Sequence, residues 1–392
     1  MLRHLTTISC RRIAPTIAIC LLTTATLAAS DQDSDQGFRV FPSAIESETE
    51  VPAGAIAPPV VGSGHVIVPL ESGRVWAGRI ADGRQAWTAE LAATAPLAAD
   101  GNLVLVPVKG AVQALDAATG EVKWTKAVDL LGTAPVARGG WVILASGETL
   151  TALRASDGAE VWSKTIAPIA QRSAIDGDRL YVPLVDGRML AVDLTSGSIV
   201  WEQKNLGLNL TEPFVHGDRI YFGANGKQFV CLKTANGREE SRFSVGAAIV
   251  GVAAADDSRV YTASMDNLLR AYWRSTGNLA WKQDIGYRPT GGPILTGSHV
   301  AVPGRTAVIP AYDVVTHRPA VKLELPIQAA TQPALIDPAP GQPGRLALIA
   351  NEIGKPWVLV LAAEAPPAPP ALPMAPLSAL PGTSLPTPKL PL

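Results

Sequence analysis

Short runs of alternating hydrophobic and polar residues, separated by turns rich in Gly, Asp and Asn, extend over most of the chain. In one stretch an apolar run at 180–184 is followed by Asp186-Gly187, a second apolar run at 189–193 and a turn that contains Gly197. Runs of this length and period are typical of β-strands, and glycine at the turns permits a positive φ. The pattern therefore predicts an all-β chain built from four-stranded antiparallel meanders.

The predicted meander recurs with a nearly fixed period, marked by a tryptophan four residues after a turn glycine. Seven such positions follow one another at intervals of 37 to 40 residues, and such a period is typical of β-propeller blades. Because each tryptophan has the same place in its repeat, we expect it to dock one blade against the next rather than to form a ligand track. Five of the seven positions hold tryptophan and two are degenerate, namely Trp87, Trp124, Trp162, Trp201, Ser241, Trp281 and Val321.

An eighth repeat is split between the two ends of the chain. Residues 332–361 contain three strand-like runs but no fourth, while Gly37 and Phe41 reproduce the spacing from turn glycine to tryptophan. An N-terminal strand would pair the free edge of the last blade, with Phe41 in the docking position. The predicted fold is thus an all-β, eight-bladed β-propeller with tryptophan-docking repeats, closed by its N-terminal strand.

The chain ends predict export and a separate tail. Arg3, Arg11 and Arg12 precede an apolar run at 13–22 and small residues up to Ala29, which is the pattern of a secretory signal. That run is shorter than the roughly 20 residues of a membrane-spanning helix. The predicted boundaries are a signal peptide at 1–29, a propeller at 30–362 and a Pro-rich disordered tail at 363–392. The localisation expected from these features is the periplasm or the cell exterior; the Arg pair leaves Sec and twin-arginine export both open.

Charge and motifs argue against several classes of function. A net charge of −1 gives no basic surface for nucleic acid. Cys231 is the one cysteine after the predicted signal, so an internal disulfide or thiolate metal site is not expected. No phosphate loop, nucleophile elbow or His-Glu-x-x-His motif occurs, and Asp116 and Asp193 fall at turn positions. We therefore predict no catalytic residue, no cofactor and no metal ligand.

The repeats resemble a known family. Residues 114–124 read Ala-Leu-Asp-Ala-Ala-Thr-Gly-Glu-Val-Lys-Trp, which resembles the tryptophan-docking motif of pyrroloquinoline quinone-type repeats. That resemblance includes quinoprotein alcohol dehydrogenases, so an oxidoreductase with a quinone in its central channel is the alternative function. Those enzymes are longer and carry an adjacent-cysteine disulfide and calcium-ligating carboxylates, which this sequence lacks. The chain is more similar to the outer-membrane protein assembly factor B family of periplasmic scaffolds.

The second resemblance implies a partner and a site. It implies a monomeric, non-catalytic scaffold, peripheral to the membrane at most, that binds a protein subunit of the outer-membrane barrel-assembly machinery. In those scaffolds the connection after the third blade's tryptophan contacts the partner, and residues 166–172 match it here. We expect partner binding by Ile169, Gln171 and Arg172, with an exposed Ile169 beside Arg172 as the anchor.

Overall fold

The computed structural model describes residues 43–296, 298–324, 328–329, 334–336, 345–352 and 355–363. The regular structure of these residues consists of antiparallel β-strands. In chain order the strands are β1 (Ser43–Glu50), β2 (Val60–Gly62), β3 (His65–Leu70), β4 (Arg74–Arg79), β5 (Gln85–Ala89), β6 (Ala98–Asp100), β7 (Leu103–Val108), β8 (Ala111–Asp116), β9 (Val122–Ala127), β10 (Val136–Arg138), β11 (Trp141–Ser146), β12 (Thr149–Arg154), β13 (Glu160–Thr165), β14 (Ala174–Asp176), β15 (Arg179–Pro183), β16 (Met189–Asp193), β17 (Ile199–Gln203), β18 (Phe214–His216), β19 (Arg219–Ala224), β20 (Gln228–Lys233), β21 (Glu239–Ser244), β22 (Ile249–Ala255), β23 (Arg259–Ser264), β24 (Leu268–Trp273), β25 (Leu279–Asp284), β26 (Ile294–Thr296), β27 (His299–Ala301), β28 (Val308–Asp313), β29 (Pro319–Glu324), β30 (Gln328–Ala329), β31 (Ala334–Ile336), β32 (Arg345–Glu352) and β33 (Lys355–Ala363).

These strands form successive meanders. Sheets 1 to 7 contain four consecutive strands each, from β2–β5 (sheet 1) through β6–β9, β10–β13, β14–β17, β18–β21 and β22–β25 to β26–β29 (sheet 7). Sheet 8 joins the two ends of the described chain in the order β1, β33, β32, β30, with β31 also paired to β32. The sequence pattern therefore predicted the four-stranded antiparallel sheets correctly.

The hydrophobic pattern differs between inner and outer strands for a physical reason. In sheet 2 the middle strand β7 has five consecutive buried residues, because both of its faces lie against neighbouring sheets. The outer strand β9 alternates instead, with Trp124 buried between exposed Lys123 and Thr125. Buried side chains of adjacent sheets form common clusters, as Ile67 of sheet 1 does with Val104 of sheet 2. The hydrophobic core is thus a series of layers between sheets.

The innermost strands arrange the sheets in a ring. Strands β2, β6, β10, β14, β18, β22 and β26 contact one another in that order, and β31 of sheet 8 contacts β2 of sheet 1. Arg138 of β10 donates from Nη1 to the carbonyl of Ile175 in β14, at 3.0 Å, across two of these inner strands. A ring of twisted meanders around a central channel is a β-propeller.

The strand that pairs with the last sheet lies later in the chain than the sequence predicted. β1 pairs with β33, and its register places Ser47 opposite Val360 beside a bulge, as Trp87 lies opposite Ala77 in sheet 1. The assignment of Phe41 to the docking position is therefore wrong, and Phe41 itself lies outside the described residues. No turn joins β33 to β1, so the spacing from a turn glycine does not fix the position of this outer strand.

The predicted signal peptide and Pro-rich tail lie outside the described residues, apart from Ala363 at the end of β33. Within the part of the chain that the structure describes, no helix is long and apolar enough to cross a membrane.

Candidate partner-binding site

The connection from β13 to β14 holds the three residues that the sequence analysis selected, and backbone hydrogen bonds fix its path. The Ala170 N–H donates to the Pro183 carbonyl at 2.8 Å, and the Val185 N–H donates to the Pro168 carbonyl at 2.9 Å. Ile169 forms an isolated antiparallel bridge with Leu184 between these two hydrogen bonds. The connection is thus attached along its length to the β15–β16 turn of the next sheet.

Ile169 is not an exposed anchor. Its exposed fraction is 9%, and it belongs to the hydrophobic cluster between sheets 3 and 4 together with Ile175 and Leu184. The prediction of an exposed Ile169 is wrong because the bridge to Leu184 turns this side chain into the layer between the sheets. Sequence periodicity does not predict such a bridge, since it depends on a loop from one sheet meeting a turn of the next.

Gln171 and Arg172 instead line the mouth of the central channel. A cavity of about 600 Å³ opens there, and its walls come from residues at or just before the innermost strands of six sheets. Prolines and small residues form much of this wall, whereas Gln171 and Arg172 contribute long polar side chains. The wall residues include Pro58, Pro59, Pro96, Thr133, Glu212 and Val252.

Arg172 meets a single carboxylate at this mouth. Its Nε lies 3.2 Å from Oε1 of Glu212, but the Nε–H is not directed at that oxygen, so the contact is an ion pair without a hydrogen bond. Burial raises the pKa of Glu212, and the nearby Arg172 charge opposes that rise. Both Nη groups of Arg172 lack a partner among the described residues, and the side chain is 40% exposed. The guanidinium can therefore donate further hydrogen bonds to a bound partner.

The same rim of the propeller carries exposed apolar side chains. In a meander, the turns between second and third strands and the connections to the next sheet lie at the same end of the strands. We call this end the channel-mouth rim. Leu130 and Leu208 lie on connections between sheets and are 76% and 57% exposed, while Val185 lies on a turn between second and third strands. Sequence analysis missed these residues because loop residues have no periodic signal.

The predicted docking residues lie on the outer strands and reach the following sheet. Four indole Nε1–H groups donate to backbone carbonyls there, at 2.7 to 3.1 Å. The donor and acceptor residues are Trp87 and Ala117, Trp124 and Ala155, Trp162 and Leu194, and Trp201 and Thr234. Trp281 differs, since its ring stacks on His317 with centroids 5.2 Å apart and its Nε1 has no partner among the described residues.

The residues of the channel do not fit a calcium-held quinone. Glu212 is the one carboxylate in the described wall of the mouth cavity, and it faces Arg172. Among the described residues no group of three His, Cys, Asp or Glu side chains is placed to hold a metal ion. Asp116 and Asp193 each accept backbone N–H groups of their own turns, from Ala118 at 2.8 Å and from Ser196 at 2.9 Å. These aspartates therefore act as turn residues.

Comparison with known proteins agrees with this architecture. The family model described as outer membrane protein assembly factor BamB matches residues 25–239 and 185–333. The BamB of Yersinia pestis is 27% identical over 232 residues, which is 52% of this chain and 58% of that protein. The crystal structure of BamB from Moraxella catarrhalis superposes with a TM-score of 0.66 and 21% identity, covering 82% of this chain and 99% of that one.

The fold is also similar to that of an enzyme. The quinohemoprotein alcohol dehydrogenase of Comamonas testosteroni superposes with a TM-score of 0.64 at 14% identity, covering 83% of this chain and 77% of that one. At this identity the similarity extends to the fold alone.

Proposed function

The chain belongs to the family of outer membrane protein assembly factor BamB, and we propose that it is a periplasmic, non-catalytic scaffold that binds a subunit of the machinery assembling outer-membrane β-barrels. The chain spans 58% of the length of its Yersinia pestis relative. The proposed role therefore rests on membership of the family together with the geometry of the site. The observation that carries the proposal is a rigid rim with Arg172 and exposed apolar side chains around one channel mouth.

We further propose an eight-bladed ring in which tryptophans dock successive blades. The eight sheets and the contact between β31 and β2 support the blade number. The four hydrogen bonds from indole Nε1 to carbonyls of the next sheet support the docking role, because each indole is held by a specific acceptor as well as by its contact area. A ring fixed in this way presents its loops rigidly, as a binding scaffold requires.

The proposed contact combines apolar and charged recognition. Leu130, Val185 and Leu208 supply exposed apolar surface, and Arg172 supplies free guanidinium donors beside Gln171. Arginine and large apolar side chains are enriched among the residues that dominate binding energy at interfaces. The partner surface should therefore be largely apolar with a carboxylate or carbonyl group that reaches Arg172. We propose that the scaffold acts as a monomer and associates with the outer membrane through this partner.

Two pairs of variants test the proposed rim. Arg172→Glu and Leu130→Asp change the channel-mouth rim. Arg154→Glu, at the end of β12, and Val315→Asp, on the turn between β28 and β29, make the same changes at exposed positions on the opposite rim. In a pull-down from a Gram-negative envelope, we expect the first pair to reduce recovery of the barrel-assembly subunit about tenfold or more and the second pair to leave it unchanged. Failure of the wild-type protein to recover that subunit would contradict the function. Equal recovery by all four variants would contradict the site.

A further inference from the structure

The channel mouth is lined by one equivalent residue from each of six successive sheets. In the register of the sheets, each stands two residues before an equivalent residue of its inner strand, as Arg172 stands before Ala174 of β14. Four of the six residues are apolar, and the two charged ones come from the adjacent sheets 4 and 5. In ring order the six are Pro58, Pro96, Ala134, Arg172, Glu212 and Val252.

The two charged residues of this ring form a geometrically incomplete pair. Elsewhere in sheet 5, the Glu240 carboxylate accepts a hydrogen bond from Nε of Arg219 at 2.7 Å and lies 3.2 Å from Nζ of Lys233. The Glu212 carboxylate accepts no hydrogen bond from the described residues, and the Nε–H of Arg172, 3.2 Å away, is not directed at it. The negative charge of Glu212 is therefore poorly compensated.

The free donors of Arg172 face a space that can hold a side chain of a partner. The cavity at the mouth has a volume of about 600 Å³, which is in the range of pockets that hold small ligands. A guanidinium binds a planar carboxylate through two parallel N–H groups, and both Nη groups of Arg172 lack a partner among the described residues. Arg172 is the one cationic side chain in the described wall, so the mouth is suited to a single carboxylate.

Glu212 opposes the entry of such a carboxylate, because two negative charges would then share one guanidinium. Burial already raises the pKa of Glu212, and the positive charge of Arg172 opposes that rise. No further titratable or charged side chain lines the described wall of the mouth. A partner that covers the mouth removes water and adds a like charge, and both changes disfavour the ionised form of Glu212. A proton on Glu212 would remove the repulsion and leave the guanidinium to the partner.

We propose that the barrel-assembly subunit inserts the side chain of an Asp or Glu residue into the channel mouth, where it binds the Nη groups of Arg172 while Glu212 takes up one proton from solvent. This inference rests on the proposed scaffold function and adds the chemistry of the contact. The proton joins one carboxylate oxygen of Glu212, and no other covalent bond changes. Glu212 is thus a positioning residue that acts on the partner through Arg172.

The contact should tighten as pH falls. Glu212 binds its proton at a higher pH in the complex than in the free scaffold. Between these two pH values the dissociation constant should therefore fall by up to about tenfold for each pH unit, and outside them the dependence should level off. Titration calorimetry of the wild-type protein with the subunit recovered in the pull-down measures this between about pH 5 and pH 8. Repeating it in two buffers of different ionisation enthalpy counts the protons, and we expect an uptake of about one.

A neutral side chain of the same size isolates the role of Glu212. Glu212→Gln should bind the subunit about threefold or more tightly than wild type near pH 8, and its proton uptake should vanish. Glu240→Gln makes the same change on the outer strand of the same sheet, away from the mouth, and should keep the wild-type uptake. Arg172→Gln should weaken binding and make it less sensitive to salt, because it removes the charge that holds the carboxylate.

The outcomes separate this contact from the scaffold function. If the wild-type protein binds no subunit at any pH, the scaffold function itself is contradicted. Binding without proton uptake, or equal uptake by wild type and Glu212→Gln, would overturn the role of Glu212 and leave the scaffold function in place. Wild-type calorimetry decides this even where Glu212→Gln does not fold. Equal salt sensitivity of wild type and Arg172→Gln would overturn the assignment of a carboxylate as the bound group.

Discussion

The junction between sheets 4 and 5 and the junction between sheets 5 and 6 share one backbone arrangement but are stabilised differently. In the first, the indole of Trp201 lies on Gly237 and donates to the Thr234 carbonyl at 2.7 Å. In the second, Ser241 and the Phe243 ring lie against the equivalent glycine, Gly277. The sheets are also joined there by Arg274, which donates to the His216 carbonyl of sheet 5 at 3.3 Å, and by stacking of Phe243 on Tyr272. The difference shows that the repeat specifies the turn and strand geometry, and that the filling of each junction is separable from it.

Truncation at the two equivalent positions should give the largest contrast. Trp201→Ala removes a large wedged ring and its hydrogen bond, and we expect it to reduce the free energy of unfolding by about 3–5 kcal/mol. Ser241→Ala removes only a hydroxyl, and we expect a change within about 0.5 kcal/mol. Urea unfolding of both variants measures this contrast. Equal losses would mean that Trp201 does not dock the sheets.

A methyl group added to Gly237, which lies against the Trp201 ring, should give the next largest loss in the free energy of unfolding. Gly237 and Gly226 lie in the same sheet with φ values of +70° and +69°, so alanine strains the backbone equally at both. Only Gly237 has the Trp201 ring within 2.5 Å of the new Cβ, whereas nothing lies within 4 Å at Gly226.

We expect Gly226→Ala to cost about 1 kcal/mol from backbone strain alone. Gly237→Ala should cost about 1–3 kcal/mol more, because the ring must shift as in other overpacked cores. The two unfolding curves in urea isolate the contact with the ring. If they coincide, the glycine is required for its conformation and not for the approach of the indole.

The repeat explains why so much of the fold was predictable. Turn glycines and tryptophans at fixed spacing define where each meander begins and ends, so the three strand-like runs expected within 332–361 match β31, β32 and β33. The strand at the other end was misplaced because its anchor was read from Phe41, while Ser47 has the position in the register. Because Ser47 stands where other repeats have tryptophan, the sequence does not mark this position, and only the pairing of β1 with β33 identifies it.

The site was less predictable because it depends on contacts between sheets. Arg172 was predicted to bind a partner from its place in the connection, and it lies at the channel mouth. Ile169 of the same connection is buried by a bridge to Leu184 that no local pattern indicates. The packing of Trp76 of sheet 1 in one cluster with Val358 and Val360 of sheet 8 is equally invisible in sequence. Both arise from residues that are distant in the chain and adjacent in the ring.

The smallest expected difference between the two junctions concerns Cys231, which replaces the Ala191 of sheet 4. Burial raises the pKa of this thiol from its ordinary value of 9.0 to about 12. The folded state therefore retains a proton that the unfolded state loses, so the wild-type free energy of unfolding should fall as pH rises from about 9 toward 12. Cys231→Ala removes this contribution, and its stability relative to wild type should increase by up to about 1.4 kcal/mol per pH unit in that range.

Urea unfolding of wild type and Cys231→Ala at several pH values between about 8 and 10 measures the difference. Tyr221, whose pKa burial raises to about 12, is present in both proteins and contributes to both profiles. Parallel profiles for wild type and Cys231→Ala would mean that water reaches the thiol and that the side chains around it do not exclude it. The pH dependence thus reports whether the junction at Ser241 excludes water from its buried thiol.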